Sequence, residues 1–434
     1  MSPVLIGTLL SAAFIIALIL GMPIGACMGL FGTIGFALIM NPGAALNLIT
    51  TDLFTQFASY NMSAVAMFCW MGYIAYRSGI GNKLFELANK LIGHFPGGLC
   101  MAAEGACAAF GAVCGSAPAT VATIGSIAFP EMKKYGYADS LRTSCVAAGG
   151  GLGILIPPSM TAIVYGVATG VSIGRLFIAG ITIGVLLMLL FIATIYVEVI
   201  FNPTLAPRGK KYTWKERFKS MGDGIWETAV IFLVSIGGLS IGWFTPTEGG
   251  AIGCFLMLFL VVIRKKLSWK DFLGSLRDTA EATGMIMLIM GCGTLFSRMI
   301  TVSQITRAVS NWVTSLNASP NIVMIIILVV YLIAGCFISP VPMIMILVPV
   351  FFPIVTNIGF DPVWFGVIST ITACMGMITP PVGSGCYIAQ AIAPEVPLQV
   401  VFKGSMPFLL AIFVCIAIMM AFPQVVLFLP DLLS

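Results

Sequence analysis

GAVCGSAPAT, residues 111–120, and AGCFISPVPM, residues 334–343, each bring small residues, a Ser and a Pro into otherwise oily sequence. Ser116 and Ser339 fall in register, 223 positions apart. The same offset carries Pro130 onto Pro353, Gly136 onto Gly359, Gly153 onto Gly376 and Pro157-Pro158 onto Pro380-Pro381. It aligns GILIPPS (153–159) with GMITPPV (376–382), and upstream it carries Pro23 onto Pro246. A gapless alignment over so many helix-breaking residues identifies an internal repeat, and a repeat decides the fold before any single element does.

The surrounding composition places the repeat in a membrane. Of 434 residues, 59% are hydrophobic and 9% charged, whereas a soluble domain carries roughly a quarter charged residues. Apolar runs near the roughly 20 residues needed for a crossing recur along the chain. The expected class is an all-α polytopic membrane protein; a β-barrel would alternate in short segments. The first run, Val4 to Leu20, has no basic flank and no A-x-A site, so it reads as a retained helix and not as a signal peptide. The twelve Cys form no C-x-x-C pair and sit mostly in apolar segments, as small packing residues do. One His, His94, is too little for a structural zinc site, so no other metal is expected. A net charge of +5 calls for no nucleic-acid partner.

Candidate spans fall near 4–20, 24–40, 55–75, 140–170, 174–200, 224–243, 248–263, 278–300, 362–391 and 400–428. Segments 98–131 and 321–357 are long enough to enter and return, and both are broken at their middles, so they read as re-entrant hairpins. With the N-terminus outside, all but Arg175, Arg298 and Arg307 of the 21 Lys and Arg fall inside, the side that the positive-inside rule prefers. The first hairpin then opens to the cytoplasm and the second to the outside. Each half holds about five crossings and one hairpin, an odd number, so the repeats are inverted: 1–201 and 221–434, joined by the polar linker 202–220. The stretch PRGKKYTWKERFKS, 207–220, is the most polar in the chain and reads as that cytoplasmic loop. NKLFELANKLIGHF (82–95) and QITRAVSNWVTSLN (304–317) read as amphipathic helices along the interface, each just before a hairpin.

Inverted repeats with broken helices are the plan of many secondary transporters, with sites near the midplane. Each half has a hairpin tip and a double-Pro break. Proline removes an N–H and clashes with the preceding turn, and the freed carbonyls can replace the water shell of a small cation. A helix that starts after a break turns free N–H groups and a positive dipole end toward the cavity, which favours an anion. Two cation cages are therefore expected, one from 112–116 with 153–159 and one from 335–339 with 376–382. An anionic substrate lies between the tips, with Ser116 and Ser339 donating hydrogen bonds. Its candidate contacts are Ser116, Ala117, Pro118, Thr120, Pro158, Ser159, Ser339, Pro340, Pro381 and Ser384.

At GSAPATVATIGSIAFPEMKKYGY, GILIPPSMTAIVYG, SIGRLFIAGI, FTPTEGGA, GFDPVWFGV and GMITPPVG, the chain resembles the large membrane subunit, M or DctM type, of tripartite ATP-independent periplasmic (TRAP) transporters. The resemblance covers nearly the whole length, with the motifs in order. It implies a bacterial inner-membrane carrier of the ion-transporter-superfamily kind, multi-pass, whose N-terminus the charge distribution places in the periplasm. It implies uptake driven by Na+ as coupling ion, without an organic cofactor, of a small organic anion: a C4-dicarboxylate, a sugar acid or a sulfonate. It implies two partners besides the lipid bilayer, a periplasmic substrate-binding protein and a small four-helix membrane subunit (DctQ type). No small-subunit sequence precedes Val4, so that subunit is expected as a separate chain. The mechanism it implies is an elevator, hairpins and broken helices moving as one unit. Carried onto matching positions, the sodium sites are Gly115, Ser116, Gly153, Ile156 and Ser159 for one ion, and Gly335, Ser339, Gly376, Thr379 and Val382 for the other.

The chain departs from the family pattern at Ser339, where many relatives carry Asp, at Ser384, and at SAVAMFCW (63–70), which lacks a proline. A missing carboxylate and extra hydroxyls bear on the cargo. Three alternatives compete: a binding-protein-independent sodium/dicarboxylate symporter of related fold, an ion channel, and an intramembrane protease suggested by VGSGC (382–386). A protease needs a base beside its nucleophile, and the sole His94 falls at an interface, so no catalytic residues are assigned and no enzyme is expected.

Overall fold

Proline and small polar residues cut the chain into helices. The computed structural model describes residues 2–222, 225–315 and 319–433, and no strand occurs among them. α1 (Pro3–Ile19) and α2 (Ile24–Ile39) are followed by α3 (Pro42–Phe57), α4 (Asn61–Arg77) and α5 (Ile80–Ile92). α3 was not among the expected spans. Asn41 caps it, accepting from the Ala44 N–H at 2.7 Å, and Pro42 opens it. Its Asn47, Thr50, Thr51, Asp52 and Gln56 hide it from a hydropathy reading. α6 (Gly98–Cys114) and α7 (Ala117–Lys134) form the first hairpin. α8 (Asp139–Gly149), α9 (Leu152–Leu155) and α10 (Met160–Thr169) form a broken helix, and α11 (Ile173–Phe201) closes the half.

After the short α12 (Trp214–Met221), α13 (Ile225–Phe232) passes through a π-helical turn, Leu233–Gly237, into α14 (Gly238–Ser240). α15 (Pro246–Ile263) precedes α16 (Trp269–Val302), one helix of 34 residues where 278–300 was expected. Ser268 caps it far upstream, and Lys270, Asp271, Arg277, Asp278 and Glu281 disguise its first turns. α17 (Ile305–Ser315) covers the second segment expected to be amphipathic; residues 316–317 of that segment lie outside the described residues. α18 (Pro320–Gly335) and α19 (Pro340–Asn357) form the second hairpin. α20 (Pro362–Ile378) and α21 (Ser384–Ile392) form the second broken helix, and α22 (Leu398–Ala421) and α23 (Gln424–Leu433) end the chain. The expected span 400–428 stops at Phe422 because Pro423 follows, and a residue before proline avoids the α region. Six helical stretches among the described residues are long and apolar enough to cross a membrane, and the protein is a multi-pass membrane protein.

The 223-residue offset survives in three dimensions. α7 and α19 match under it at both ends. Both breaks are extended, Ile156 at φ −75°, ψ 127° and Thr379 at φ −105°, ψ 132°, and both Pro-Pro bonds are cis. The Cys374 thiol donates to the Gly151 carbonyl at 3.4 Å. These two positions are equivalent under the offset, and equivalent positions touch only near the axis that relates them. Two ends are distinguishable. At one, the mouth of the first hairpin and the start of α8 meet the loop after α21: Lys133 Nζ and Arg142 Nη2 both reach Glu395 at 2.9 Å. At the other, Tyr165 of α10 donates to the Pro362 carbonyl at the start of α20, 2.7 Å away. The hairpins thus enter from opposite ends.

Outside this core, α16 runs along α2 and α15 along α4. Gly25, Gly29, Gly32 and Gly35 put the bare flank of α2 against α16, so closely that a Cβ at Gly32 would lie 2.6 Å from Phe296 N. Small residues allow such approach between membrane helices. Arg77 reaches Asp278 at 2.7 Å, and Arg298 reaches Asp52 at 3.1 Å.

Arg142 is 1% exposed and also holds Asp139 at 2.7 Å. Arg142→Ala should strip a buried cation from two carboxylates and destabilise by about 2 kcal/mol. Lys133, the loop's own backbone and Arg142 hold the Glu395 carboxyl down at about 2. A depressed carboxylate stabilises above its ordinary value and loses that stabilisation as pH falls toward its folded value. Glu395→Gln should therefore lower the melting temperature by a margin that is constant from pH 7 to about 5 and narrows only below that. A margin that widens on acidification would contradict this assignment.

Candidate functional site

The two hairpin tips are built differently from the same register. Gly115 caps α6 in the left-handed region, φ +61°, where glycine is at ease. Ser116 is then the N-cap of α7, yet its hydroxyl makes no cap bond. Ser339 occupies the same position before α19, again without a side-chain cap bond. Both hydroxyls are left for other partners.

Each tip leans on the break of its own half. A Cβ at Gly115 would lie 2.1 Å from the Pro158 carbonyl oxygen, and one at Gly153 would lie 2.5 Å from Thr120 Oγ1 and 3.1 Å from the Ser116 carbonyl. Thr120 Oγ1 donates to that carbonyl at 2.8 Å. Ser159 donates to the Ile154 carbonyl and accepts from the Ala162 N–H at 3.1 Å. In the second half, Gly335 and Gly376 meet backbone to backbone. Val382 N–H donates to the Cys336 carbonyl at 3.3 Å, and Thr379 Oγ1 donates to Met375 at 2.6 Å. Gly115, Ser116 and Gly153 thus meet at the first tip–break contact, and Gly335, Gly376 and Val382 at the second.

Between the tips lies a cavity of about 490 Å³. Ser116, Ala117, Pro118, Ser339, Pro340 and Ser384 line it, as does Gly115. Thr120, Pro158, Ser159 and Pro381 do not. Thr120 and Ser159 turn inward to bond backbone carbonyls, Pro158 backs Gly115, and Pro381 sits on an exposed face of its break. The far walls carry residues that the sequence reading did not single out: Cys69, Gly72, Tyr73 and Tyr76 from α4, and Ala282, Met285, Ile286 and Ile289 from α16. The α16 residues follow i, i+3, i+4, i+7 spacing, the one signal available, but a lipid-facing stripe has the same spacing. Cys69 belongs to SAVAMFCW, so that departure reaches the cavity wall. No Arg, Lys, His, Asp or Glu is among the described lining residues. His94 packs against Phe95 with ring centroids 4.2 Å apart and does not line the cavity.

The fold matches the crystal structure of the Alcanivorax borkumensis YdaH transporter, with a TM-score of 0.65 at 14% identity over 97% of this chain and 98% of that one. The C4-dicarboxylate TRAP transporter large permease protein of Pseudomonas aeruginosa is 34% identical over 94% of each chain. The ectoine TRAP transporter large permease protein of Halomonas elongata is 33% identical over 98% of this chain and 99% of its own. The model of the tripartite ATP-independent periplasmic transporter DctM component matches residues 11–425, and the chain belongs to that family.

Proposed function

We propose that the protein is a sodium-coupled carrier taking up a small organic anion, a carboxylate or a sulfonate, across a bacterial inner membrane. One observation carries this reading: Ser116 and Ser339, at the tips of hairpins that enter from opposite ends, line one cavity. A site reached by a hairpin from each side suits alternating access. A channel would want a continuous pore lined by charged rings or a carbonyl filter. The relatives named for a C4-dicarboxylate and for ectoine support a small organic solute as cargo.

In this reading the anion sits at Ser116, Ala117, Pro118, Ser339, Pro340 and Ser384. Thr120, Pro158, Ser159 and Pro381 act from behind, shaping the tips. One Na+ lies at Gly115, Ser116, Gly153, Ile156 and Ser159, and the other at Gly335, Ser339, Gly376, Thr379 and Val382. The repeats are 1–201 and 221–434 with the linker 202–220. Hairpins and broken helices travel as one body against α2, α4, α15 and α16. A periplasmic N-terminus places most Lys and Arg in the cytoplasm and turns the Tyr76 end of the cavity inward. A periplasmic binding protein delivers the cargo, and a small four-helix subunit completes the membrane complex.

Proteoliposome uptake tests this directly. Transport should require Na+ on the binding-protein side, the binding protein and the small subunit. Full uptake with K+ in place of Na+ would sink the coupling; currents far above carrier rates would favour the channel.

A further inference from the structure

We infer that the cargo is an amphiphilic monoanion: one carboxylate or sulfonate head on an apolar chain or ring. The inference rests on the organic-anion reading above and narrows it. Hydroxyl residues Ser116, Ser339, Thr161 and Ser384 line the cavity at the tips and breaks, and the α4 wall adds Tyr73 and Tyr76. α16 presents Ala282, Met285, Ile286 and Ile289, one continuous helix face without a donor. Met285 is 60% exposed there, so its thioether forms surface, not core.

Charge has few places to go. Among the described lining residues none carries a positive charge. An anion must be held by hydroxyls, by the free N–H groups of helix starts and by the co-bound cations. Those starts are poor in donors, because Pro118, Pro340 and Pro342 have no N–H. One anionic head fills what the tips offer. A second head lying on the aliphatic face of α16 would meet no donor and leave its charge unpaired, which is costly. An apolar body gains from the same wall. Met160 and Met377 flank it and can adapt to its shape.

Thermal unfolding of the purified full-length protein in lipid nanodiscs, in NaCl, tests the inference with three probes of one chain length: hexanoate, adipate and hexylammonium. Hexanoate should half-saturate its stabilisation at a concentration about tenfold below adipate, and hexylammonium should do nothing. Met285→Arg puts a guanidinium on the apolar wall and should reverse the order of hexanoate and adipate. Adipate matching hexanoate in the wild type, or an unchanged order in Met285→Arg, overturns the amphiphile and leaves the organic-anion reading standing. Stabilisation by hexylammonium as strong as by hexanoate, or by none of the three, overturns both.

Discussion

Gly376→Val is expected to cost the protein its fold. A Cβ at this position would lie 2.1 Å from the Gly335 carbonyl oxygen, 2.3 Å from its carbon and 2.7 Å from its Cα. All three are backbone atoms, so no side chain can turn aside. The clash falls where α20 crosses α18, inside a helix whose residues 363–378 are all buried. Opening that crossing would part the second tip from its break and loosen the bond from Val382 N–H to the Cys336 carbonyl. Overpacking of a tight core costs about 1–3 kcal/mol, and a backbone-to-backbone collision belongs at or above the top of that range. Gly284→Val on α16 is the matched control, since a Cβ there meets nothing within 4 Å. Thermal unfolding of both variants in detergent decides it. Equal melting temperatures for Gly376→Val and the wild type would show that the two helices do not approach as described.

Gly376 also marks how far the sequence could be read. Its pairing with Gly153 was legible because proline and glycine leave a discrete pattern, and the offset of 223 needs no knowledge of neighbours. Hairpins, breaks and their opposite entry followed from that pattern with the distribution of Lys and Arg. Local polarity misled where hydrophobicity was the guide. The Asn, Thr and Asp of α3 hid a helix, and Lys270 to Glu281 hid the first turns of α16. The cavity walls were out of reach for a different reason. Tyr73, Tyr76 and Met285 line the site because α4 and α16 approach the tips from far along the chain, with Gly72 so close that a Cβ would lie 2.7 Å from the Cys114 backbone. Nothing in the residues of α16 distinguishes a face turned to a cavity from one turned to lipid. For Thr120 and Ser159 the sequence gives the hydroxyl but not its direction, and both spend it on carbonyls of their own segment.

Ser116→Trp and Ser339→Trp should each abolish uptake while leaving the complex assembled. The two serines stand at helix starts with hydroxyls free of capping, so losing the hydroxyl removes no bond that holds a helix end. Ser116 is half-buried and Ser339 exposed, both facing the same cavity, so an indole enters open space and not core. The variants differ from Gly376→Val in this respect: they fill the site without parting the helices that frame it. In the carrier proposed above, an indole at either tip would occupy the place of the anionic head and screen the donors that hold it. Ser116→Ala and Ser339→Ala separate bulk from bonding. Each loses one hydroxyl contact to a charged group, about 1.5–3 kcal/mol, and should slow uptake by roughly ten- to a hundredfold without stopping it. The measurement is initial uptake in proteoliposomes, beside size-exclusion profiles of the purified variants. Normal uptake by either Trp variant would remove that tip from the substrate path; aggregation of both would mean that the serines hold the fold. Loss with Trp, partial loss with Ala and an unchanged elution profile is the combination that two opposed tips closing on one anion require.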